Sequence, residues 1–325
     1  MPKKVRWGII STGHIAAVFA EALSFADNGE LVAVASRDLP KAKSFADRFS
    51  IPRAYGTYKE LAADPNVDIV YIGSPHAFHL QHAVLCLNRG KHVLCEKPMA
   101  MNYEEAKEMV RVARRNKLFL CEAMWTRFFP AVQDIKRQVE KGELGAMHLV
   151  QADFGFAAAF NPESRLYAKH LGGGALLDVG VYPLHFADLL LGTPEAIVAD
   201  GRLGPTAVDH LVTVTLRFAS GARAQLAASI DTELVNEARI FGSTGHIHVP
   251  ARFFCPAGYA LTKNGDTERQ EFPYENGYAF QAFEVGKAVF DGHSESTFVP
   301  LDRSLSVVRA MDEIRRQIGV SYDAD

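Results

Sequence analysis

Between residues 5 and 121 short apolar runs alternate with helical patterns, and no other feature of the chain restricts its fold as tightly. The runs at 5–10, 31–36, 67–73, 92–95 and 118–121 are rich in β-branched residues and mostly apolar. Helical spacing fills the intervals at 15–25, 40–49, 78–88 and 103–116, and Asn88-Arg89-Gly90 gives the third of these a glycine stop. Strands without a polar side must be covered on both faces, and a helix between successive strands supplies that cover when they run parallel. The expectation is a doubly wound parallel sheet.

The beat changes after about Met124. Strand patterns follow one another at 147–156, 196–203, 210–218, 222–230 and 237–241, with turn signals such as Ser220-Gly221 and Ser243-Thr244-Gly245. Leu211-Val212-Thr213-Val214-Thr215-Leu216 alternates apolar with polar residues, as an antiparallel sheet with one packed face requires. Helical patterns persist at 175–191, 279–290 and 303–318. A chain of 325 residues exceeds one ordinary core, so two domains are expected, 1–123 and 124–325. The second reads as an α+β unit around a large, mainly antiparallel open sheet.

Ser11-Thr12-Gly13-His14-Ile15-Ala16, after the first strand, fills the window where a dinucleotide fingerprint reads Gly-x-Gly-x-x-Gly/Ala. Only the middle glycine, Gly13, is present; Ser11 takes the first place and Ala16 the third. Gly13 lets backbone approach a pyrophosphate resting on the amides of the next helix, and Ala16 keeps that helix near the sheet. The first domain therefore reads as Rossmann-type. Its second strand ends Ser36-Arg37-Asp38, with no carboxylate at the tip for ribose hydroxyls. Ser36 and Arg37 stand where a 2′-phosphate would lie, which favours NADP over NAD. Two alternatives stay open: a solvated loop pairing Arg37 with Asp38, and use of both cofactors.

Two further segments carry chemistry. Glu96-Lys97-Pro98 follows His92-Val93-Leu94-Cys95 and sets Lys97 at the carboxyl end of a strand, where ligands of open α/β sheets bind. Pro98 biases Lys97 to extended backbone, although Glu-Lys-Pro is also an ordinary exit from a strand. Gly172-Gly173-Gly174 precedes Asp178, Tyr182 and His185; on a helix the first two share a face, with His185 a turn on. Pro183 must then fall in a first turn or kink the helix. The glycines admit backbone close to a ligand or form a flexible turn. The alternatives are an N-cap role for Asp178, an anchoring role for Tyr182 at a domain seam, and a base or core role for His185.

Together, Glu96-Lys97-Pro98 and the segment from Gly172 to Tyr182 resemble the Gfo/Idh/MocA oxidoreductase family. Glu122-Ala123-Met124-Trp125-Thr126-Arg127-Phe128-Phe129-Pro130 and Asp178-Val179-Gly180-Val181-Tyr182 are similar to its branch of dimeric dihydrodiol dehydrogenases and NADP-dependent D-xylose 1-dehydrogenases. Ser74-Pro75-His76-Ala77-Phe78-His79, Gly90-Lys91-His92-Val93 and the ending Gly319-Val320-Ser321-Tyr322 fit the same resemblance, which spans nearly the whole chain. It implies hydride transfer between NADP(H), or NAD(H), and a neutral polyhydroxylated substrate such as an aldose or a trans-dihydrodiol.

The resemblance makes Tyr182 the general acid/base, where many relatives carry histidine. A tyrosine has a reference pKa of about 10, so a nearby ammonium, which Lys97 would supply, is needed to favour phenolate. Asp178 would orient the substrate or that pair. The cofactor would meet Ser11, Gly13, His14, Ile15, Ser36, Arg37, Ser74, His76, His79, Glu96, Lys97 and Arg165, and the substrate Asp178; Trp125, Phe156 and Phe160 are candidates for an aromatic substrate wall, with core packing the equal alternative. The alternatives are a keto- or anhydro-sugar reductase of the same family and a non-catalytic NAD(P)-sensing regulator.

Composition narrows the partners. Thirty-five Lys and Arg against 38 Asp and Glu give a formal net charge of −3, no electrostatic case for nucleic acid or an anionic membrane. No run of about 18 apolar residues suggests a membrane span, and no cleavable leader is visible in Met1-Pro2-Lys3-Lys4. Cys86, Cys95, Cys121 and Cys255 lack metal-like spacing and read as reduced thiols of a cytoplasmic protein. His76, His79 and His82 spread round a helix too widely for a zinc site, and no metal is expected. An open sheet face in the second domain leads us to expect a homodimer through that sheet.

Overall fold

The computed structural model describes residues 4–325; Met1-Pro2-Lys3, expected to lead straight into the first strand, lie outside the described residues. The chain forms two compact units. One runs to Trp125 and takes in Asn276–Leu305; the other is Thr126–Glu275 with Ser306–Asp325.

In the first unit β1 (Val5–Ile10), α1 (His14–Leu23), β2 (Gly29–Ala35), α2 (Leu39–Phe49), β3 (Arg53–Tyr55), α3 (Tyr58–Ala63), β4 (Ile69–Ile72), α4 (His79–Leu87), β5 (His92–Glu96), α5 (Tyr103–Asn116) and β6 (Leu120–Ala123) follow in sequence. The strands form one parallel sheet ordered β3-β2-β1-β4-β5-β6. Order reverses between β1 and β4, which makes the carboxyl ends of those strands the ligand crevice of this topology. β4 is buried throughout, as expected of a strand covered on both faces. β3 and α3 escaped the sequence reading. Thr57 and Glu60 form a capping box that starts α3, each satisfying an amide of the other's turn.

The second unit opens with α6 (Pro130–Glu140), also absent from the sequence reading, and continues through β7 (Met147–Gly155), α7 (Val181–Leu191), β8 (Ala196–Leu203), β9 (Asp209–Arg217), β10 (Arg223–Ser229), β11 (Ala238–Gly242), β12 (Gly245–Val249), β13 (Gly258–Lys263) and β14 (Asp266–Glu271). Its eight strands are ordered β14-β13-β12-β11-β7-β10-β9-β8. Every pairing is antiparallel except β10 with β7. β9 alternates as its sequence requires: Val212, Val214 and Leu216 are buried, Thr213, Thr215 and Arg217 exposed. That leaves one face of the sheet packed and the other open.

The chain then returns. α8 (Tyr278–Phe290) packs on α1 in the first unit, where Asn28 donates from Nδ2 to the Phe283 carbonyl at 2.8 Å. α9 (Leu301–Ile318) ends in the second unit, its Gln317 bonded to both Ile197 and Ala199 of β8. One stretch, Lys169–Leu191, is long and apolar enough to cross a membrane by length and composition only, and 83% of its most apolar window is buried within the protein.

Candidate active site

The first turn of the parallel sheet has the form a dinucleotide needs, with one residue strained to make it. Ser11 holds φ at 100°, in the region that favours glycine, and so does the conformational work of the missing first glycine. Its Oγ accepts from the Gly13 amide at 3.1 Å. Gly13 is an extended N-cap to α1 with no side-chain cap and no acid in the first turn. The leading amides of α1, including those of His14 and Ile15, thus have no side-chain cap and carry the positive end of the helix dipole, which fits a pyrophosphate. At the end of β2, Asp38 is committed as the N-cap of α2, accepting from the Lys41 amide. It is not the partner of Arg37, whose guanidinium lies against the Tyr58 hydroxyl. Arg37 is exposed and Ser36 is buried at this tip.

Around the crevice several of the expected cofactor residues also make internal ties. Both ring nitrogens of buried His79 face backbone carbonyls, Nδ1 that of Pro98 and Nε2 that of Ser74, each at 2.9 Å. His79 therefore links the turn after β4 to the Lys97-Pro98 turn, with its polar atoms already used. Burial lowers its pKa. The Ser74 hydroxyl meets Nδ1 of His82 at 2.9 Å, and burial lowers that imidazole to about 4. Glu96 is buried, accepting from the Tyr71 hydroxyl at 2.5 Å and from the Lys97 amide at 3.1 Å. Burial raises the Glu96 carboxyl and drives the Tyr71 phenol well above its ordinary value. Tyr71 in turn stacks on Phe19 of α1 at 3.9 Å. Lys97 is half-buried, and its backbone is held by this chain. His76 is buried beside His79, their ring centroids 5.8 Å apart.

In the second unit all three glycines have structural causes. Gly172 ends a short helix at φ 79°. A Cβ on Gly173 would stand 2.7 Å from the Leu166 carbonyl, and one on Gly174, at φ 123°, would come 2.4 Å from a carboxylate oxygen of Asp209. A π-helical turn, Leu176–Gly180, follows and runs into α7. Pro183 lies inside the continuous helical run of π turn and α7, and its missing N–H falls just where that run departs from regular α-helix. Asp178, on the π turn, is buried and accepts from Arg165 at 2.8 Å. Arg165, expected at the cofactor, thus sits on Asp178, its side chain 59% exposed.

Tyr182 lies on the first turn of α7, 7% exposed. Its ring meets Phe154 edge-on at 5.2 Å and Phe254 at 5.8 Å, and those two phenylalanines stack at 4.0 Å. This aromatic wall was missed in the sequence; of the expected wall, Phe156 adjoins Phe154 at 6.4 Å, whereas Phe160 packs edge-on to Tyr167 and Trp125 stacks on Tyr278 in the first unit. Beneath α7, Arg127 donates to Asp188 at 2.6 Å and to the His185 carbonyl at 3.0 Å. His185 itself is buried in the core. Among the described residues no group of three or more His, Cys, Asp or Glu is arranged to hold a metal.

Comparison with known proteins agrees with this fold. A profile described as "Oxidoreductase family, NAD-binding Rossmann fold" matches residues 5–123, and one described as "GFO/IDH/MocA C-terminal domain" matches residues 132–248. Trans-1,2-dihydrobenzene-1,2-diol dehydrogenase of Danio rerio is 43% identical over 335 residues, covering 99% of both chains. The Homo sapiens protein of that name is 38% identical with the same coverage. An aldose-aldose oxidoreductase from Caulobacter crescentus superposes with a TM-score of 0.90 at 25% identity, over 97% of both chains. A 3-ketoreductase from Actinomadura kijaniata, solved with TDP-benzene and NADP, gives 0.85 at 27% identity over 97% of this chain and 98% of its own. With both units matched in this order across most of their length, the chain belongs to the Gfo/Idh/MocA family of NAD(P)-dependent oxidoreductases.

Proposed function

We propose that this oxidoreductase of polyhydroxylated substrates prefers NADP(H), acts on a neutral trans-diol or aldose, and uses Tyr182 as its acid/base with Lys97 as the ammonium that assists it. The observation that carries the proposal is Tyr182 itself. A phenol on the first turn of a buried helix, walled by two stacked phenylalanines, suits the apolar face of a cyclic diol or sugar. Diol dehydrogenases at 37–43% identity over nearly the whole chain favour the diol. Arg37, set against Tyr58 while Asp38 is engaged as the cap of α2, favours the 2′-phosphate. When bound, the nicotinamide supplies the hydride acceptor or donor. Tyr182 Oη takes the hydroxyl proton in oxidation and returns it in reduction, while the Lys97 charge favours phenolate. Asp178, neutralised by Arg165, orients what lies over the tyrosine. The first unit holds the cofactor and the second the substrate.

The matched ketoreductase structures include variants in which a lysine and a tyrosine were replaced, which supports a lysine–tyrosine pair. They also favour a second reading, reduction of a keto-sugar on the same residues. Incubating the protein with NADP or NAD and a panel of trans-diols, aldoses and keto-sugars, while following absorbance of reduced nicotinamide, separates the two. Binding of NADP without turnover on any of them would leave a dinucleotide sensor. The open face of the second sheet supports a homodimer, and four buried free cysteines support a cytoplasmic site.

A further inference from the structure

Asp209 begins β9, far from Asp178 and Tyr182 in sequence, yet it touches the segment that carries them. It is fully buried, and its Oδ2 accepts from the Leu176 amide at 2.6 Å. Its Oδ1 has no partner in the structure and lies against Gly174, which has no Cβ to displace it. From the other side comes the last segment of the chain. The Tyr322 hydroxyl donates to the Gly173 carbonyl at 2.5 Å, and Tyr322 is itself 5% exposed. Arg315 ties that segment down through Asp325, at 2.9 and 2.7 Å, while Asp325 also accepts from the Tyr322 amide at 2.8 Å. Two buried polar groups from distant elements thus hold the residues on either side of the Gly174–Ala175 junction, where the π turn begins.

A buried carboxylate is costly, and a helical start can be capped by an exposed serine or aspartate at little cost. Retaining Asp209 here is explained if the turn must be held in one place. A π turn is a less stable arrangement than continuous α-helix and persists where surrounding contacts over-determine it. Asp178 lies on that turn and Tyr182 at the step after it, so any slip of the turn moves both side chains.

We propose that Asp209 and Tyr322 form a clamp that positions Asp178 and Tyr182 for catalysis, making both of them positioning residues of the reaction. The proposal rests on the role given to Tyr182 above. Neither clamp residue belongs to the unit that carries the dinucleotide turn, so their loss alters turnover and leaves NADP affinity as it was.

The test uses the full chain in four forms, Asp209→Ala, Asp209→Asn, Tyr322→Phe and the double variant Asp209→Ala/Tyr322→Phe, each checked for native circular dichroism. Expected are a fall in kcat of at least tenfold for Asp209→Ala with NADP affinity unchanged, and recovery of most of it in Asp209→Asn, which keeps an acceptor for the Leu176 amide. Tyr322→Phe should lower kcat more mildly, and the double variant should fall short of the summed effects because the two act as one device. Hydrogen exchange of the amides at 174–182, read without substrate, should quicken in Asp209→Ala and Tyr322→Phe. Wild-type kcat and wild-type exchange in folded Asp209→Ala and Tyr322→Phe would overturn the clamp. Absence of turnover in the wild type on every substrate tried would instead overturn the dehydrogenase reading, and exchange alone would then decide the clamp.

Discussion

Tyr182 is the residue on which the chemistry turns, and its removal gives the simplest test. General acid/base assistance of this kind contributes about 10²–10⁴-fold in rate. Tyr182→Phe keeps the ring against Phe154 and Phe254 and should lose turnover by that factor, with NADP affinity intact in a fluorescence titration; an unchanged kcat would remove the role. Arg37 governs the cofactor instead. A charge-assisted hydrogen bond contributes about 1.5–3 kcal/mol, so Arg37→Ala should weaken NADP by about 10- to 100-fold and leave NAD nearly untouched. Equal losses for both cofactors would show that Arg37 does not read the 2′-phosphate. Asp209 sets a pH dependence. Burial pushes its carboxyl up to about 7, while in an unfolded chain an aspartate titrates at about 3.9. Between those values the folded protein keeps a proton the unfolded chain has released, so stability falls as pH rises through the window. Buried Arg315 works in the opposite sense by favouring the carboxylate. Unfolding free energies from denaturant titrations at about pH 4 to 7 should decline with pH in the wild type more steeply than in Asp209→Asn, the difference being at most about 1.4 kcal/mol per pH unit.

At the scale of elements, α7 is held by a pair that has no water to fall back on. Arg127 and Asp188 are 2% and 5% exposed, and removing one partner strands the other's charge. Asp188→Asn should therefore cost about 3–5 kcal/mol in urea unfolding, whereas replacing both with apolar residues of similar volume should recover much of that loss. Elements also show what could be read beforehand. The parallel strands were legible because burial on both faces leaves an unbroken apolar run. β3, three half-exposed residues, leaves none, and β14, Asp266-Thr267-Glu268-Arg269-Gln270-Glu271, is polar from end to end. α6 hides behind Pro130, which looks like a terminator and is in fact a first-turn residue. In the site, Lys97, Asp178 and Tyr182 stand in recognisable words of sequence. Tyr71 under Glu96, Phe254 beside Tyr182 and Asp209 under Gly174 do not, because each partnership is made by tertiary contact between segments with no local pattern in common. The same limit hid the Arg165–Asp178 pair, the packing of Phe160 on Tyr167, and the carbonyl and carboxylate that crowd Gly173 and Gly174.

For the molecule as a whole, the open face of the eight-stranded sheet is the feature that reaches beyond one copy. β9 and β10 present Thr213, Thr215, Arg217, Arg223 and Gln225 on that side, polar but flat and broad, which suits a second copy of the same surface about a twofold axis. Light scattering should return a dimer at micromolar concentration, and Thr215→Glu with Gln225→Glu should shift it towards monomer; a monodisperse wild-type monomer would dispose of the idea.

The late return of α8 to the first unit also bears on how the protein is made. A ribosome releases the six parallel strands long before it releases Tyr278–Phe290, so the flank of α1 that packs on α8 waits for that late helix. A gene cut after Ala123, at the border the family profiles suggest, should yield aggregating protein, and adding back residues 276–305 through a short linker should return it to solution.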